Sequence, residues 1–195
     1  MELGKIGAWV STNALNREEL AELARGVEDL GYDTLWYPES TTYESIAMGS
    51  YLLANSTNLK IASGIANIYA RDPFTAISGH NSLNTLYGDR FCLGLGVSHV
   101  PLVTGRRGHA FGKPVATMRT YLQAMAEAEV DLKVPSRNVV LAALGPKMLE
   151  LSREMAEGSL PYCVTPEHTS MAKEIMGPDR WLCVEQKIVF TQDET

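Results

Sequence analysis

Side chains that could take part in acid–base chemistry follow two apolar runs of this sequence. Glu39 and Ser40 come just after the run at 34–37, and His99 and His109 follow the run at 91–96. Carboxyl and imidazole groups act as general acids or bases when they lie beside a reacting atom. Charged residues at the ends of parallel strands are typical of the functional rim of a barrel. These positions are therefore candidate catalytic residues.

Structural explanations of the same residues stay open beside the catalytic ones. Glu39 could form an ion pair with Arg71 or with Lys60, and the two histidines could be solvated loop residues. Between those histidines lies the one adjacent basic pair, Arg106 and Arg107. Arginine suits paired contacts with an oxyanion, so the stretch at 98–112, with its glycines and basic residues, predicts a long functional loop.

A third feature is the stretch Ser63-Gly64-Ile65 at the end of an apolar run. Glycine lets the backbone adopt conformations that other residues resist, and it lets a ligand approach the main chain closely. Asn67 follows two residues later, and a proline that can open a helix comes at 73. The stretch predicts either a ligand contact or a simple strand bulge.

Apolar runs and amphipathic segments alternate along the whole chain and define the elements that carry these residues. Strands are predicted at 5–10, 34–37, 59–64, 91–96, 138–142, 159–164 and 181–190. Helices are predicted at 18–30, within 43–55, and at 73–88, 114–127, 147–156 and 166–177. Thr12 or Asn13 is the expected cap of the first helix, and Gly31 is expected to end it.

Strict alternation of this kind predicts a parallel sheet with helices outside it. An open doubly wound sheet and a (β/α)8 barrel both fit the pattern. Gly94-Leu95-Gly96 lacks the third glycine of a dinucleotide-binding fingerprint, and the first strand–helix turn contains no glycine. We therefore expect a single (β/α)8 barrel-type domain over 1–195. It would be incomplete after the seventh strand, because a full barrel needs about 250 residues.

Composition excludes several classes of function. A net charge of −6 argues against a nucleic-acid surface. The chain has no apolar run long enough to span a membrane and no signal peptide, so a cytoplasmic location is expected. Cys92, Cys163 and Cys183 lie among apolar residues and are expected to be buried thiols. The sequence contains neither a CxxC nor an HExxH spacing, so no metal site is predicted.

Four stretches of the chain, taken together, resemble one known family. They are 36–40 (Trp-Tyr-Pro-Glu-Ser), 62–73 (Ala-Ser-Gly-Ile-Ala-Asn-Ile-Tyr-Ala-Arg-Asp-Pro), 88–97 and 142–151. In this order they resemble the bacterial-luciferase-like flavin or deazaflavin oxidoreductases, in particular the branch that uses coenzyme F420. The resemblance implies a (β/α)8 barrel with the ring of the cofactor at the carboxyl ends of the strands. Members of this family usually continue for about another third of their length.

The resemblance also implies a set of cofactor contacts. Glu39 and Ser40 would lie beside the ring, although some deazaflavin enzymes have a histidine where this chain has Ser40. A non-proline cis peptide is expected at Gly64–Ile65 in preference to Ser63–Gly64, with Asn67 near the pyrimidine edge of the ring. The remaining implied contacts are with the side chain of the cofactor (Gly96, Val97 and Ser98), its phosphate (Leu144 and Gly145) and its acidic tail or phosphate (Arg106 and Arg107).

The function expected from this resemblance is hydride transfer between F420, or FMN as the alternative, and a small organic substrate. Glu39, Ser40 and His99 are the expected catalytic residues, with His109 as an alternative acid–base group. A non-catalytic flavin-binding or partner-subunit protein is the competing hypothesis. The resemblance also predicts a homodimer formed through the second and third helices, with His80 and Tyr87 at the contact.

Overall fold

Parallel strands alternate with helices over residues 1–189, which are the residues that this computed structural model describes. The strands are β1 (Gly7–Trp9), β2 (Thr34–Tyr37), β3 (Lys60–Ser63), β4 (Ala66–Asn67), β5 (Phe91–Gly96), β6 (Val139–Ala142), β7 (Gly158–Leu160) and β8 (Trp181–Leu182). The α-helices are α1 (Arg17–Asp29), α2 (Ser45–Ala54), α3 (Pro73–Tyr87), α4 (Pro114–Glu127), α5 (Pro146–Met155) and α6 (Pro166–Met176). A π-helical turn, Pro101–Arg106, lies in the loop between β5 and α4.

The strands form one parallel sheet in the order β1-β2-β3-β5-β6-β7-β8, and β4 pairs with β5. Every strand pair is parallel, so all the carboxyl ends of the strands lie along one edge. This sheet is a half-barrel with β1 and β8 at its two ends, which confirms the prediction of a shortened (β/α)8 fold.

Side chains alternate between the two faces of the sheet, as the twofold period of a strand requires. Leu35 and Tyr37 pack outward against the helices, whereas Trp36 points to the inner face. The same alternation puts Ala62, Cys92 and Val140 on the inner face of neighbouring strands. The larger side chains of Leu3, Trp36 and Leu160 complete this inner cluster.

The third predicted strand divides into two at its carboxyl end. β3 stops at Ser63, and β4 resumes at Ala66 with Asn67 opposite Gly96 of β5. The peptide bond between Gly64 and Ile65 is cis, at the position that the sequence analysis preferred. The predicted strand 59–64 therefore ends one residue early, at Ser63. The cis peptide separates it from β4 at the carboxyl edge of the sheet.

The start of the first helix differs from the prediction. Asn16 caps α1 by accepting from the amides of Glu18 and Glu19, while the Glu19 carboxylate accepts from the Asn16 amide at 2.8 Å. This reciprocal arrangement is a capping box, which the spacing Asn16-x-x-Glu19 encodes. Thr12 is instead buried before the helix, and the Asn13 side chain accepts from Ser40. Gly31 follows the helix at φ 81°, as predicted.

The last predicted strand is much shorter than expected. β8 covers Trp181–Leu182, followed by an isolated bridge between Tyr162 and Glu185. Its partner β7 ends before Pro161, which has no amide to donate, and Cys163 turns away at φ 50°. Residue 190, the end of that prediction, lies outside the described residues.

The turns at the amino ends of the strands are held by two charged side chains. The Glu28 carboxylate accepts from the amides of Thr57, Asn58 and Leu59, at 2.5 to 3.2 Å. Arg90 donates to the carbonyl oxygens of Leu53, Ser56, Leu59 and Tyr87 and to the Ser56 hydroxyl, all within 3.3 Å. These bonds fix the edge opposite the carboxyl ends, because they satisfy backbone groups that the turns leave unpaired.

A cavity of about 750 Å³ lies at the opening between the two end strands. Its walls are the segment 3–9 with β1 and the segment 182–189 with β8, together with Trp36 and Leu160. Trp9 and Trp36 both line this cavity. None of the predicted site residues at the carboxyl edge lines it, but Trp9 and Leu160 of its wall also adjoin Gly64.

Candidate functional site

Glu39 follows β2 at the carboxyl edge and forms an ion pair with Arg71. Both nitrogens of the Arg71 fork donate to the Glu39 carboxylate, Nη2 to Oε1 and Nη1 to Oε2, the latter at 3.0 Å. Only 3% of the Glu39 side chain and 4% of the Arg71 side chain is exposed. The structural alternative from the sequence, with Arg71 as the partner rather than Lys60, is therefore the one that forms. Arg71 thus engages both oxygens of the Glu39 carboxylate.

Glu44 completes a cluster of three charged residues around Arg71. Arg71 Nη2 lies 2.7 Å from Glu44 Oε1, and Glu44 Oε2 accepts from the Ala47 amide to cap α2. Burial acts to lower the pKa of Arg71, but the bonds and charges of Glu39 and Glu44 outweigh it and raise that pKa. Burial likewise acts to raise the pKa of Glu44, yet the amides at the helix start and Arg71 lower it overall. Arg71 and Glu44 are therefore both charged at neutral pH.

This cluster holds the backbone of Asn67 on both sides. The Asn67 amide donates to Glu39 Oε2 at 2.6 Å, and its carbonyl accepts from Arg71 Nη1 at 3.2 Å. The Asn67 side chain accepts from the Tyr69 amide through Oδ1, at 2.9 Å. Its Nδ2 is buried and has no acceptor among residues 1–189. A buried amide without an acceptor is costly, so this nitrogen fits a ligand that brings one.

The residues around the cis peptide pack closely against their neighbours. The Ser63 hydroxyl donates to the Gly94 carbonyl and accepts from the Gly94 amide, both at 2.9 Å. The Ser63 hydroxyl is therefore engaged inside the sheet. Ile65 lies over Gly96, where an added Cβ would meet Ile65 Cδ1 at 2.4 Å. Gly96 therefore makes room for Ile65, and Ile65 presents a half-buried apolar surface at the edge.

Gly64 faces the indole of the first strand. Trp9 Nε1 donates to the Gly64 carbonyl at 3.3 Å, and an added Cβ at Gly64 would lie 2.9 Å from the same nitrogen. Val97 and Ser98 continue β5 at the edge and are half-buried, with Ser98 at φ 58°. Gly64, Ile65, Val97 and Ser98 all lie on the carboxyl side of the sheet, which is where the resemblance predicts them.

The loop after β5 carries the basic pair. Arg106 ends the π-helical turn and is exposed, whereas Arg107 is half-buried with its Nε enclosed and without an acceptor among the described residues. His99 is exposed and accepts from two amides of the turn only through its carbonyl oxygen. His109 is exposed beside Tyr69, with ring centroids 6.3 Å apart.

Leu144 and Gly145 precede the first turn of α5. Gly145 is the N-cap residue, and no side chain caps this helix start. The Leu144 carbonyl lies 2.6 Å from Nε2 of His168, which fixes the chain just before the helix. A helix start without a side-chain cap, open to solvent, is suited to bind a phosphate through its amides.

Ser40 lies on the carboxyl side and donates to Asn13 Oδ1 at 2.5 Å. The structure therefore brings Ser40, Ile65, Asn67 and the end of β5 to one edge, and places His99 on the exposed loop beyond it.

The sequence analysis also made predictions for His80 and for the three cysteines, which lie away from this edge. His80 is completely buried and bonded to Asn81 and Asn84, so it is a core residue and not a contact for a partner. Cys92 is buried, and burial raises the pKa of the half-buried Cys183 thiol to about 12. Cys163 is exposed, contrary to the prediction, and donates to Glu185 at 3.3 Å. Its amide donates to the Glu185 carbonyl at 3.0 Å, so the side chain is exposed while the backbone stays paired.

Residues 1–189 contain neither a cluster of metal ligands nor a helix that could span a membrane. Within 1–189, no three or more His, Cys, Asp or Glu side chains come together in a way that could hold a metal ion. No helix among them has both the length and the apolar character needed to cross a bilayer.

Comparison with protein families identifies the class. The family model for luciferase-like monooxygenases matches residues 1–176, and the chain belongs to this family.

Two relatives and one solved structure illustrate the similarity. The chain is 24% identical, over 99% of its own length, to a protein of Mycobacterium tuberculosis whose name assigns it to the coenzyme F420-dependent oxidoreductases. It is 28% identical, over 79% of its length, to the 5,10-methylenetetrahydromethanopterin reductase of Methanolobus tindarius. Its fold matches an F420-dependent secondary alcohol dehydrogenase with a TM-score of 0.74 at 14% identity, over 89% of this chain. The matched regions span 68%, 53% and 64% of those three proteins.

Sequence reasoning did not find Tyr69, and it treated Arg71 only as one of two possible partners of Glu39. Arg71 holds both the carboxylate and the Asn67 backbone, and Tyr69 contacts a loop more than forty residues away. The signal for Arg71 was its position four residues after Asn67. No local pattern could have paired Tyr69 with Gly112, because only the folded sheet brings them together.

Proposed function

We propose that this chain binds a deazaflavin of the F420 type, with FMN as the alternative, along the carboxyl edge of its sheet. We further propose that it is an oxidoreductase that moves a hydride between this cofactor and a small organic substrate. The observation that carries the proposal is the interrupted third strand. There the half-buried Ile65 and the buried Asn67 Nδ2, which has no acceptor among residues 1–189, lie at the edge where parallel barrels build their sites.

The edge fits a planar ring with an anionic tail. Ile65 offers an apolar surface for the ring, and Asn67 Nδ2 offers a donor for a ring carbonyl. Val97 and Ser98 would flank the side chain of the cofactor. The start of α5, after Leu144 and Gly145, would hold a phosphate, and the arginines of the loop after β5 would hold further negative charge.

The bound cofactor supplies the hydride chemistry, and the protein supplies position and electrostatics. Glu39 contributes by fixing Asn67 rather than by proton transfer, since both of its oxygens are engaged. Ser40 and His99 remain the proposed polar groups for a substrate, with His109 as the alternative. Similarity to F420-dependent relatives supports the choice of cofactor.

The competing proposal is a chain that binds a flavin without turnover, as a partner subunit. The engagement of Glu39 favours it, because that carboxylate would otherwise be the acidic group nearest to Asn67. Binding and turnover separate the two proposals. A chain that binds F420 but reduces no substrate in the presence of reduced cofactor would support the non-catalytic one.

Fluorescence titration with F420 and with FMN tests the binding proposal directly. Asn67→Ala should weaken binding of the preferred cofactor about 10-fold, because the ring carbonyl loses the donor that Asn67 Nδ2 provides. Asn58→Ala is the matched control, since the Asn58 side chain is exposed and lies on the amino-end turns. Saturable binding to neither cofactor, or an equal loss in both variants, would refute the assignment of this edge.

We also propose a homodimer through α2 and α3. Neither helix contains an acidic or basic residue, apart from the buried His80, and Phe74 and Leu86 are 52% and 73% exposed. Interface cores are depleted of charge, so this pair of helices is the best candidate for a contact between two copies. Sedimentation velocity should show a dimer that Leu86→Lys dissociates. A monomer at micromolar concentration would contradict the proposal.

A further inference from the structure

Tyr69 touches the loop after β5 at three points. The Gly112 amide donates to Tyr69 Oη at 3.0 Å. The Tyr69 ring stacks on Phe111 with centroids 5.9 Å apart and an interplanar angle of 24°, and it lies 6.3 Å from the His109 ring. One side chain therefore contacts residues from 109 to 112 of this loop.

The other end of Tyr69 is joined to the proposed ring contact. Its amide donates to Asn67 Oδ1 at 2.9 Å, while the Asn67 backbone is held by Glu39 and Arg71. A continuous series of hydrogen bonds thus runs from the Glu39–Arg71 pair through Asn67 and Tyr69 to Gly112. The first part of this series is buried, and the last part lies at the surface.

The Tyr69 contacts add to the order that the π-helical turn gives this loop, because the loop is rich in glycine. Gly105, Gly108 and Gly112 are spread along it, and Gly108 has φ 69°. Glycines increase the conformational entropy that a loop loses when it is held in one conformation. Arg106 and Arg107 lie between the π-helical turn and the residues that Tyr69 contacts.

We propose that Tyr69 is a positioning residue that holds the 98–112 loop against the β4 segment. In this arrangement Arg106 and Arg107 would hold the anionic part of a cofactor whose ring contacts Asn67. The inference rests on the proposed function for the identity of the ligand, but the contact between Tyr69 and the loop does not. Tyr69 acts through the loop and does not itself touch the reacting atoms.

Tyr69→Phe tests the contact because it removes the acceptor for the Gly112 amide and keeps the ring that stacks on Phe111. Hydrogen exchange at the Gly112 amide, measured in the protein alone, should accelerate about 5-fold, the effect of one neutral hydrogen bond. Tyr51→Phe is the matched control, since it removes a single hydroxyl bonded to the Arg17 carbonyl at 2.7 Å on the far side of α2. Its Gly112 exchange should not change.

A matched pair of ligands tests the consequence for the arginines. FMN and riboflavin differ by one phosphate, so the ratio of their dissociation constants reports only on contacts with the anion. Tyr69→Phe should reduce the preference for FMN about 3-fold and leave riboflavin affinity unchanged, whereas Tyr51→Phe should alter neither. A merely structural role of Tyr69 would weaken both ligands equally.

Two results would overturn the inference: unchanged exchange at Gly112 in Tyr69→Phe, or faster exchange with an unchanged preference for FMN. If the wild-type chain binds no flavin and no deazaflavin, the proposed function fails. The exchange at Gly112 then decides by itself whether Tyr69 holds the loop.

Discussion

The buried ion pair between Glu39 and Arg71 leads to a stability prediction with a distinctive pattern. Arg71→Met leaves the Glu39 carboxylate, whose side chain is 3% exposed, without its cation. Removing one partner of a buried pair costs about 3–5 kcal/mol, because the remaining charge stays uncompensated. Glu39→Gln should cost less, about 1–3 kcal/mol, because Arg71 keeps Glu44 as a charged partner at 2.7 Å. We expect both single variants to lower the free energy of unfolding, Arg71→Met by the larger amount.

The double variant Glu39→Gln with Arg71→Met should cost much less than the two single variants together. It removes both charges at once, and the amide side chain introduced in place of Glu39 keeps an oxygen that can accept from the Asn67 amide. Replacing a whole buried pair by neutral groups is often close to neutral in stability. We therefore expect a loss of about 1–2 kcal/mol, mainly the hydrogen bond from Arg71 to the Asn67 carbonyl.

Urea unfolding followed by circular dichroism at neutral pH measures all four proteins in one double-mutant cycle. The control cycle uses Arg119 and Glu154, whose two nitrogen–oxygen bonds are both 2.7 Å long but whose side chains are 40% and 56% exposed. That exposed pair should change stability little, because solvent screens it. Additive losses in the Glu39–Arg71 cycle, or single losses no larger than in the control, would refute the reasoning from burial.

Three further predictions concern stability. Burial lowers the pKa of His80 below its ordinary 6.5, so the unfolded chain binds a proton more readily than the folded one. The free energy of unfolding should therefore fall as the pH drops below about 6.5. Urea unfolding between pH 5 and 7 should show a weaker pH dependence for His80→Gln. Gly94→Ala should lower the free energy of unfolding by about 3 kcal/mol or more, because the added Cβ would lie 1.9 Å from the Ser63 carbonyl oxygen. Gly26→Ala should raise it by about 0.5 kcal/mol, because this helical position in α1 has open space around it. Thermal unfolding of both variants should therefore show shifts of opposite sign. Arg90→Lys should lose about 2 kcal/mol in chemical denaturation, since an ammonium cannot reproduce the bonds of the guanidinium fork to the amino-end turns; a loss no larger than that of an exposed arginine would contradict this.

The alternation of strands and helices could be predicted from the sequence because each element carries its own local pattern. The bounds of α4 agree with the prediction at both ends, and those of β2 and β5 do as well. Boundaries that depend on a neighbour were less accurate. The cap of α1 was placed three or four residues early, although Asn16-x-x-Glu19 encodes it. The last strand was drawn too long, because its length depends on where the partner strand ends.

The resemblance carried by four stretches in order predicted the cis peptide at Gly64–Ile65, which the structure contains, and predicted that the candidate site residues lie at the carboxyl edge. Which partner each polar side chain bonds to could be seen only in the tertiary structure. Glu39 looked like a candidate acid, and only the fold shows that Arg71 occupies both of its oxygens. Tyr69 and Gly112 are 43 residues apart and meet only across the sheet. Local sequence determines which elements form, whereas a contact between distant side chains depends on the relative positions of elements that no local pattern describes.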